Sequence, residues 1–207
     1  MSEASESTIR YYRQKAFELT YRYEIIDVSD LHKTLKENLG YKSRLLELGC
    51  GSGRDAAFLK RFGSIREITA TDACMEILAE ASRIHPEIAA DLSQLILPHG
   101  LMELLRNGRS FDGIYSIATL MHLVPEDITE TLKNCFMLLE HGGILFISIP
   151  GPGPHREEAD PRLFTCKPLN WWQNQLEELG MKVIAATETE DGEKRPEITW
   201  LNITAMK

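Results

Sequence analysis

Three glycines at alternate positions, Gly49, Gly51 and Gly53, directly follow the strand-like run Leu45-Leu46-Glu47-Leu48. Glycine lets the main chain turn sharply and approach a ligand closely. A helical pattern begins directly after the turn, and the first amides of a helix are unpaired and attract a polar or anionic group. The order of strand, glycine turn and helix therefore predicts a site for a nucleotide-like ligand.

Two helices are predicted before this turn. Ile9, Tyr12, Ala16, Leu19 and Tyr23 recur at steps of three and four residues, which is the spacing of one helix face, so Tyr12 should point inward. A second helix is predicted from Ser29 to the stop at Gly40, and residues up to about Ser7 are expected to be disordered. We expect residues 8–40 to lie across the ligand as a helical lid.

The rest of the chain alternates between strand and helix patterns, which predicts an α/β fold with a doubly wound, mostly parallel sheet. A hairpin at the C-terminus should add an antiparallel strand. We expect a single domain over residues 1–207. The predicted strands are Ser43–Leu48, Glu67–Thr71, Phe111–Ser116, Ile144–Ile149, Met181–Thr187 and Glu197–Met206, and the predicted helices are Arg54–Phe62, Cys74–Ile84, Pro125 to about Glu140 and Pro168–Leu179.

The position of the third strand is ambiguous. Leu95-Ile96-Leu97 is the only compact apolar run between Pro86 and Ser110, so we place the strand at Gln94–Pro98 and the following loop at His99–Leu101. In the alternative register the strand lies earlier, and Asp91-Leu92 forms the loop.

Composition argues against several classes of partner. The 31 acidic and 23 basic side chains give a formal charge of −8, so we expect no nucleic acid and favour a small molecule or a protein as partner. The four cysteines, Cys50, Cys74, Cys135 and Cys166, form no CxxC pair, so we expect neither a metal site nor disulfides. With no signal peptide and no membrane-spanning run, the expected location is cytoplasmic. The sequence does not indicate the oligomeric state.

Two classes of nucleotide cofactor compete for the glycine turn. The dinucleotide fingerprint requires a glycine or alanine where this chain has Arg54. Glu47, two residues before Gly49, also differs from the apolar strand end that is usual in dehydrogenases. Both residues argue against a nicotinamide-dependent oxidoreductase, which remains the competing enzyme class.

The block from Glu47 to Asp55, together with Asp72, resembles the first motif of class I S-adenosylmethionine-dependent methyltransferases. The resemblance extends to Phe111–Ile114 with Leu120–Leu123, which are similar to the family's fourth-strand region, and to Gly142–Leu145, which are similar to its fifth. The chain also resembles a subgroup of small bacterial methyltransferase-domain proteins, at Tyr11-Tyr12 with Ala16 and Arg22, at Arg162–Phe164 and at Trp200–Asn202. The resemblance implies a Rossmann-like fold, S-adenosylmethionine as cofactor and S-adenosylhomocysteine as product.

The resemblance also implies a role for individual residues. Asp72 would accept hydrogen bonds from both ribose hydroxyls, because a carboxylate offers two acceptor oxygens, although it could instead cap the next helix. Arg22 would close over the amino-acid carboxylate together with Tyr12, although it could instead be a solvated surface charge. Asp55 is expected to support the turn. The cofactor residues implied are Tyr12, Arg22, Glu47, Gly49, Cys50, Gly51, Gly53, Asp72, Ala73, Gly100 and Leu101 at the adenine, and Ser116 and Ile117 at the methionine end.

Transfer of a sulfonium methyl group mainly requires alignment of the acceptor and exclusion of water. If the acceptor must lose a proton, His122 is the candidate general base, because it follows the fourth strand. It could instead cap the helix at Pro125 or pack beneath the cofactor. His155, Glu157 and Glu158 are further candidates. The predicted function is methyl transfer to a small molecule, and the alternative from another class is a non-catalytic S-adenosylmethionine-binding module.

Overall fold

A seven-stranded sheet forms the centre of the molecule in a computed structural model, which describes residues 3–153, 160–191, 193, 195 and 198–207. The strands are β1 Arg44–Leu48, β2 Glu67–Asp72, β3 Leu92–Gln94, β4 Phe111–Ile117, β5 Leu139–Pro150, β6 Lys182–Glu190 and β7 Thr199–Met206. The helices are α1 Glu3–Gln14, α2 Ala16–Ile25, α3 Ser29–Leu39, α4 Arg54–Lys60, α5 Met75–Ile84, α6 Gly100–Arg106, α7 Pro125–Leu138 and α8 Leu169–Glu178, with 3-10 helices at Pro86–Asp91 and Leu120–His122.

The strands are arranged in the order β3-β2-β1-β4-β5-β7-β6. Strands β1 to β5 pair in parallel, whereas β7 runs antiparallel to both β5 and β6. The chain first winds outward from β1 to β3 and then returns to place β4 on the other side of β1. This confirms the predicted doubly wound, mostly parallel sheet with a C-terminal antiparallel strand.

The third strand was predicted at the wrong position. Strand β3 is Leu92–Gln94, with Leu92 opposite Ala70, and not Gln94–Pro98. The alternative register, with Asp91-Leu92 as a loop, is also wrong because Leu92 lies in the strand. The apolar character of Leu95–Leu97 reflects packing on the hydrophobic core and on a cavity beside the sheet, so it does not mark a strand.

The first helix begins earlier than predicted. Helix α1 starts at Glu3, although residues up to about Ser7 were expected to be disordered. Ser5 and Thr8 are buried in the fold, and the Ser7 hydroxyl donates a hydrogen bond to the Pro161 carbonyl at 3.2 Å. Contacts distant in sequence therefore order this polar segment.

Hydrophobic clusters cover the two faces of the sheet. One contains Trp172 and Leu176 of α8, and Trp172 is fully buried. The other contains Leu35 and Leu39 of α3, both fully buried. Helix α3 is therefore part of the core, whereas α1 and α2 contribute few core residues. No helix in the described part of the chain is long and apolar enough to span a membrane.

We predict that Leu35→Ala lowers the free energy of unfolding by about 2–5 kcal/mol, because it leaves a cavity between α3 and the sheet. Chemical denaturation followed by circular dichroism measures the change. Lys33→Ala, at an exposed position of the same helix, serves as control and should change stability by less than about 0.5 kcal/mol. Equal effects of the two substitutions would contradict a core role for α3.

Candidate active site

The glycine turn lies at the carboxyl end of β1 and is held by main-chain hydrogen bonds. The amides of Gly49 and Cys50 both donate to the Thr71 carbonyl, at 2.8 and 2.7 Å. Gly49 has φ +76°, and a Cβ atom there would lie 2.0 Å from Thr119 Oγ1. Glycine is therefore required at this position both by its backbone conformation and by lack of space.

Asp72 ends β2 beside this turn. One carboxylate oxygen accepts a hydrogen bond from the Gly51 amide at 3.2 Å, and the other accepts one from the Cys74 amide at 2.9 Å. Burial raises the pKa of Asp72 to about 6, against the effect of these amides. A carboxylate has about four acceptor positions, so two remain for a ligand.

A cavity lies above the turn, at the point where the strand order reverses between β1 and β4. We call it the inner cavity. Open α/β sheets bind their ligands at this kind of switch point. Its wall is formed by α1, the glycine turn and the ends of β2, β3 and β4, with the lining residues Ser5, Thr8, Ile9, Tyr12, Tyr23, Gly49, Cys50, Gly51, Ser52, Arg54, Asp55, Asp72, Ala73, Cys74, Leu95, Ile96, Leu97, Ile117, Ala118, Thr119, His122 and Leu123.

Eight predicted site residues lie together on this wall: Tyr12, Gly49, Cys50, Gly51, Asp72, Ala73, Ile117 and His122. Gly100 and Leu101 do not, because β3 ends earlier than predicted and Leu95–Leu97 takes the place expected for them. Leu101 is fully buried in the core, and a Cβ atom at Gly100 would lie 2.7 Å from the Leu95 side chain.

Three more predicted residues lie behind the wall, and one lies on the surface. The Ser116 hydroxyl donates to the Leu48 carbonyl at 3.1 Å, inside the sheet. Gly53 packs against Ile88, and Glu47 is buried below the turn. Arg22 is nearly half exposed and forms an ion pair with Glu193.

Behind the turn lies a network of buried charged side chains around Asp55. The sequence predicted that Asp55 supports the turn, but it did not predict the other members of the network. Asp55 accepts hydrogen bonds from His32 Nε2 at 2.8 Å and from Arg54 Nε at 2.9 Å. Burial alone would raise the pKa of Asp55, but these two partners outweigh it and lower the pKa. Arg54 also donates to the Tyr23 main-chain carbonyl, which ties α2 to the turn. The sequence contained Arg54-Asp55 but no signal for the distant partners His32 and Tyr23.

Glu47 completes this buried cluster. Burial and the nearby charge of Asp55 raise the pKa of Glu47 well above its ordinary value. Among the described residues, its Oε2 atom has no hydrogen-bond partner. Glu47 lies beside Tyr115 of β4 and does not reach the inner cavity.

His122 is held by both ring nitrogens. Its Nδ1 atom donates to the Leu163 carbonyl at 2.7 Å, so the neutral ring accepts through Nε2 from the Tyr12 hydroxyl at 2.9 Å. Burial lowers the pKa of His122 to about 4. The imidazole is therefore neutral near pH 7, and its basic nitrogen already has a partner.

Beside the Tyr12–His122 pair, Arg162 packs its guanidinium among aromatic rings. Its guanidinium pairs with Asp160 at 2.6 Å and lies 4.8 Å from the ring centre of Tyr11 and 5.0 Å from that of Phe164. Burial raises the pKa of the Tyr12 hydroxyl, and the positive charge of Arg162 offsets only part of this increase. The cluster joins α1 to the segment before α8.

A second cavity of about 750 Å³, which we call the outer cavity, adjoins the inner one. Tyr12, Tyr23, Arg54, Ile117 and Ala118 line both. The wall of the outer cavity is completed by the α2–α3 connection, by Arg162 and Phe164, and by the ends of β5, β6 and β7. A ligand in one cavity can therefore contact a ligand in the other.

Within the described residues, no group of three or more His, Cys, Asp or Glu side chains could hold a metal ion. The further base candidates His155, Glu157 and Glu158 lie outside the described residues.

Residues 45–143 match the model of a protein family described as a methyltransferase domain. No curated protein sequence matches the chain significantly.

Solved structures with the same fold include enzymes with a demethylated cofactor bound. The 1,6-didemethyltoxoflavin-N1-methyltransferase of Burkholderia thailandensis, with 1,6-didemethyltoxoflavin and S-adenosylhomocysteine bound, aligns with a TM-score of 0.76 at 20% identity, over 100% of this chain and 91% of that one. The N-methyltransferase NodS of Bradyrhizobium japonicum, in complex with S-adenosylhomocysteine, aligns with a TM-score of 0.70 at 13% identity, over 97% and 98%. The [4+2]-cyclase SpnF aligns with a TM-score of 0.66 at 18% identity, over 86% and 80%. At these identities the likeness shows the fold.

We predict that His122 makes stability depend on pH. In the folded protein the pKa of His122 is about 4, below its ordinary value of 6.5. As the pH falls from 6.5 to 4, His122 therefore becomes protonated in the unfolded chain while it stays neutral in the folded protein. The wild type should therefore lose about 3 kcal/mol relative to a His122→Gln variant between pH 7 and pH 4.

Urea denaturation at several pH values measures this difference. Asp72, whose pKa is raised to about 6, has the opposite effect over the same interval, so the comparison is made between variants and not with pH alone. His141→Gln, at an exposed position, is the control. Parallel curves for wild type and His122→Gln would show that His122 is not buried in its neutral form.

Proposed function

Because this chain belongs to the class I S-adenosylmethionine-dependent methyltransferases, we propose that it methylates a small-molecule acceptor bound in the outer cavity. The observation that carries the proposal is the pair of adjoining cavities. The inner one has the glycine turn and Asp72 on its wall, and the outer one meets it at Tyr12, Ile117 and Ala118. Cofactor and acceptor can meet there without leaving the protein.

The residues of the inner cavity fit the cofactor. A Cβ atom at Gly51 would lie 3.3 Å from the Tyr23 ring, so glycine at this position keeps the space between the turn and that ring open. Asp72 keeps two acceptor positions, which match the two ribose hydroxyls. Leu95–Leu97 supplies an apolar wall suited to the adenine.

When bound, S-adenosylmethionine would supply an electrophilic methyl group to a lone pair of the acceptor and would leave as S-adenosylhomocysteine. The chain must orient the acceptor in line with that bond and exclude water. The proton that the acceptor loses passes to solvent water. His122 is positioned to hold Tyr12 and the Leu163 segment in place, since both its nitrogens are engaged.

We place the lid function mainly in α1 and α2. Tyr12 of α1 and Tyr23 of α2 line both cavities, whereas α3 is anchored in the core by Leu35 and Leu39. Within residues 8–40, the part before α3 is therefore the part that can open for the cofactor. Arg22 is proposed to act at the rim of the outer cavity, away from the cofactor.

A small acceptor is supported by the charge of the protein and by a relative. The net charge of −8 disfavours a phosphate backbone. Arg22, Arg162 and Arg195 at the outer cavity each pair with a carboxylate. The toxoflavin-precursor methyltransferase holds a small heterocycle together with S-adenosylhomocysteine.

The test is formation of S-adenosylhomocysteine from S-adenosylmethionine with a panel of heterocycles, phenols, amines and thiols. We expect release above background with members of one class, and a methylated product by mass spectrometry. Binding of S-adenosylhomocysteine without transfer to any member would instead favour a non-catalytic binding module. Binding of a nicotinamide cofactor in its place would favour an oxidoreductase.

We predict that Asp72→Asn weakens S-adenosylhomocysteine binding by about 100-fold at pH 7.5. The reason is that the amide nitrogen of asparagine cannot accept a hydrogen bond from a ribose hydroxyl. Since the hydroxyls require the ionised carboxylate, wild-type affinity should also fall as the pH drops below about 6. Calorimetric titration at pH 7.5 and pH 5.5 measures both effects.

The control for this experiment is Asp127→Asn in the first turn of α7, which makes the same charge change outside both cavities. It should keep both the affinity and its pH dependence. Unchanged affinity of Asp72→Asn would place the ribose elsewhere.

A further inference from the structure

One face of the C-terminal half of the sheet forms the floor of the outer cavity. Ser148 and Pro150 of β5 and Trp200 and Asn202 of β7 line it. The intervening residues, such as Ile149 and Leu201, face the opposite way into the core with α8. Because side chains alternate along a strand, the floor consists of the side chains themselves.

Ser148 is a buried hydroxyl with unused hydrogen-bonding capacity. Its side chain is only 4% exposed. Its hydroxyl makes no hydrogen bond with another described residue, and Ser148 lines the outer cavity, so the hydroxyl is open to a ligand there. The Ser148 carbonyl accepts the Ala118 amide at 2.8 Å, and Ala118 lines both cavities. Ser148 therefore lies next to Ala118, at the junction of the two cavities.

Asn202 lies directly opposite Ser148 in the β5–β7 pair. Its Nδ2 atom donates to Thr189 Oγ1 at 2.9 Å, which fixes the carboxamide. The Oδ1 acceptor and one N–H donor remain. Together with the Ser148 hydroxyl, they present neighbouring donor and acceptor groups to one edge of a ligand.

The walls around this polar pair favour a neutral, planar molecule. Trp200 is held by a hydrogen bond from its Nε1 atom to Asp191 Oδ1 at 2.8 Å, and Phe164 adds a second aromatic ring. Such rings stack well on planar π-systems. The arginines at the rim, Arg22 and Arg195, are paired with Glu193 and Asp191, so the cavity does not require an ionic acceptor.

We propose that the acceptor is a neutral, planar nitrogen heterocycle whose adjacent ring N–H and carbonyl groups are bound by Ser148 and Asn202. The proposal rests on the proposed function, because it assigns the outer cavity to the acceptor. Ser148 and Asn202 are specificity residues in this reading. They select the heterocycle and orient it toward the junction at Ala118.

The experiment uses two probes that differ only in this edge, quinoxalinone with its ring N–H and carbonyl, and quinoxaline without them. Calorimetry with the S-adenosylhomocysteine-saturated protein measures the affinity of each. We expect wild type to bind quinoxalinone at least 10-fold more tightly. Ser148→Ala and Asn202→Leu should each remove most of this preference and leave S-adenosylhomocysteine affinity unchanged.

Thr131→Val is the matched control. Thr131 also has a buried hydroxyl without a partner among the described residues, but it lies on α7 outside both cavities. This variant should keep the full preference for quinoxalinone. Unchanged S-adenosylhomocysteine binding in every variant shows that the fold is intact, so a loss of preference cannot be due to unfolding.

Equal affinity of the wild type for both probes would overturn the proposal, as would a preference that survives in Ser148→Ala. So would methylation of phenols or thiols by a protein that binds neither probe. In those cases methyl transfer to a small molecule would still stand. Failure of the proposed function is a separate result, namely transfer to no acceptor class at all.

Discussion

The two hydrogen bonds that the Thr71 carbonyl accepts from Gly49 and Cys50 hold the site together. They attach the turn after β1 to the end of the neighbouring strand β2, which continues directly into Asp72. The chain can follow this path only with glycine at position 49, where a Cβ atom would collide with Thr119. The backbone of the turn, the Asp72 carboxylate and the β4 loop are thus fixed relative to one another by main-chain geometry, and a side chain at position 49 would disturb all three.

The N-terminal helices depend on the same turn through charged groups. Arg54 and Asp55 immediately follow it, and they reach back to Tyr23 of α2 and His32 of α3. A buried carboxylate is costly unless it is paired and hydrogen-bonded. Through Asp55 and its partner Arg54, the packing of α2 and α3 therefore depends on the shape of the turn. Helix α2, whose Tyr23 lines the inner cavity, is thus connected to the glycine turn on the wall of the same cavity.

The sequence predicted local features well because they arise from neighbouring residues. The glycine turn, Asp72 at the end of β2 and the alternation of strands and helices follow from local sequence patterns, and the structure has them. The loop predicted at His99–Leu101 was misplaced because Leu95–Leu97 has the composition of a strand, and only the three-residue β3 and the cavity beyond it explain why these residues are apolar. Likewise Arg22 lies on a helix near the site, but its partner Glu193 is 171 residues away in sequence and holds it at the rim.

The class of cofactor is easier to predict from a sequence than the methyl acceptor, because local motifs are easier to recognise than contacts between distant residues. The inner cavity is built mainly from one continuous motif and the ends of adjacent parallel strands. The polar floor of the outer cavity is built from Ser148, Asn202 and Thr189 on three strands, and neither composition nor periodicity distinguishes them from ordinary strand residues. What distinguishes Ser148 is a hydroxyl that faces an open volume and has no hydrogen-bond partner among the described residues, which is a property of the folded chain. Because its hydroxyl faces the outer cavity and has no partner among the described residues, a ligand with a complementary polar edge can complete its hydrogen bonds on binding.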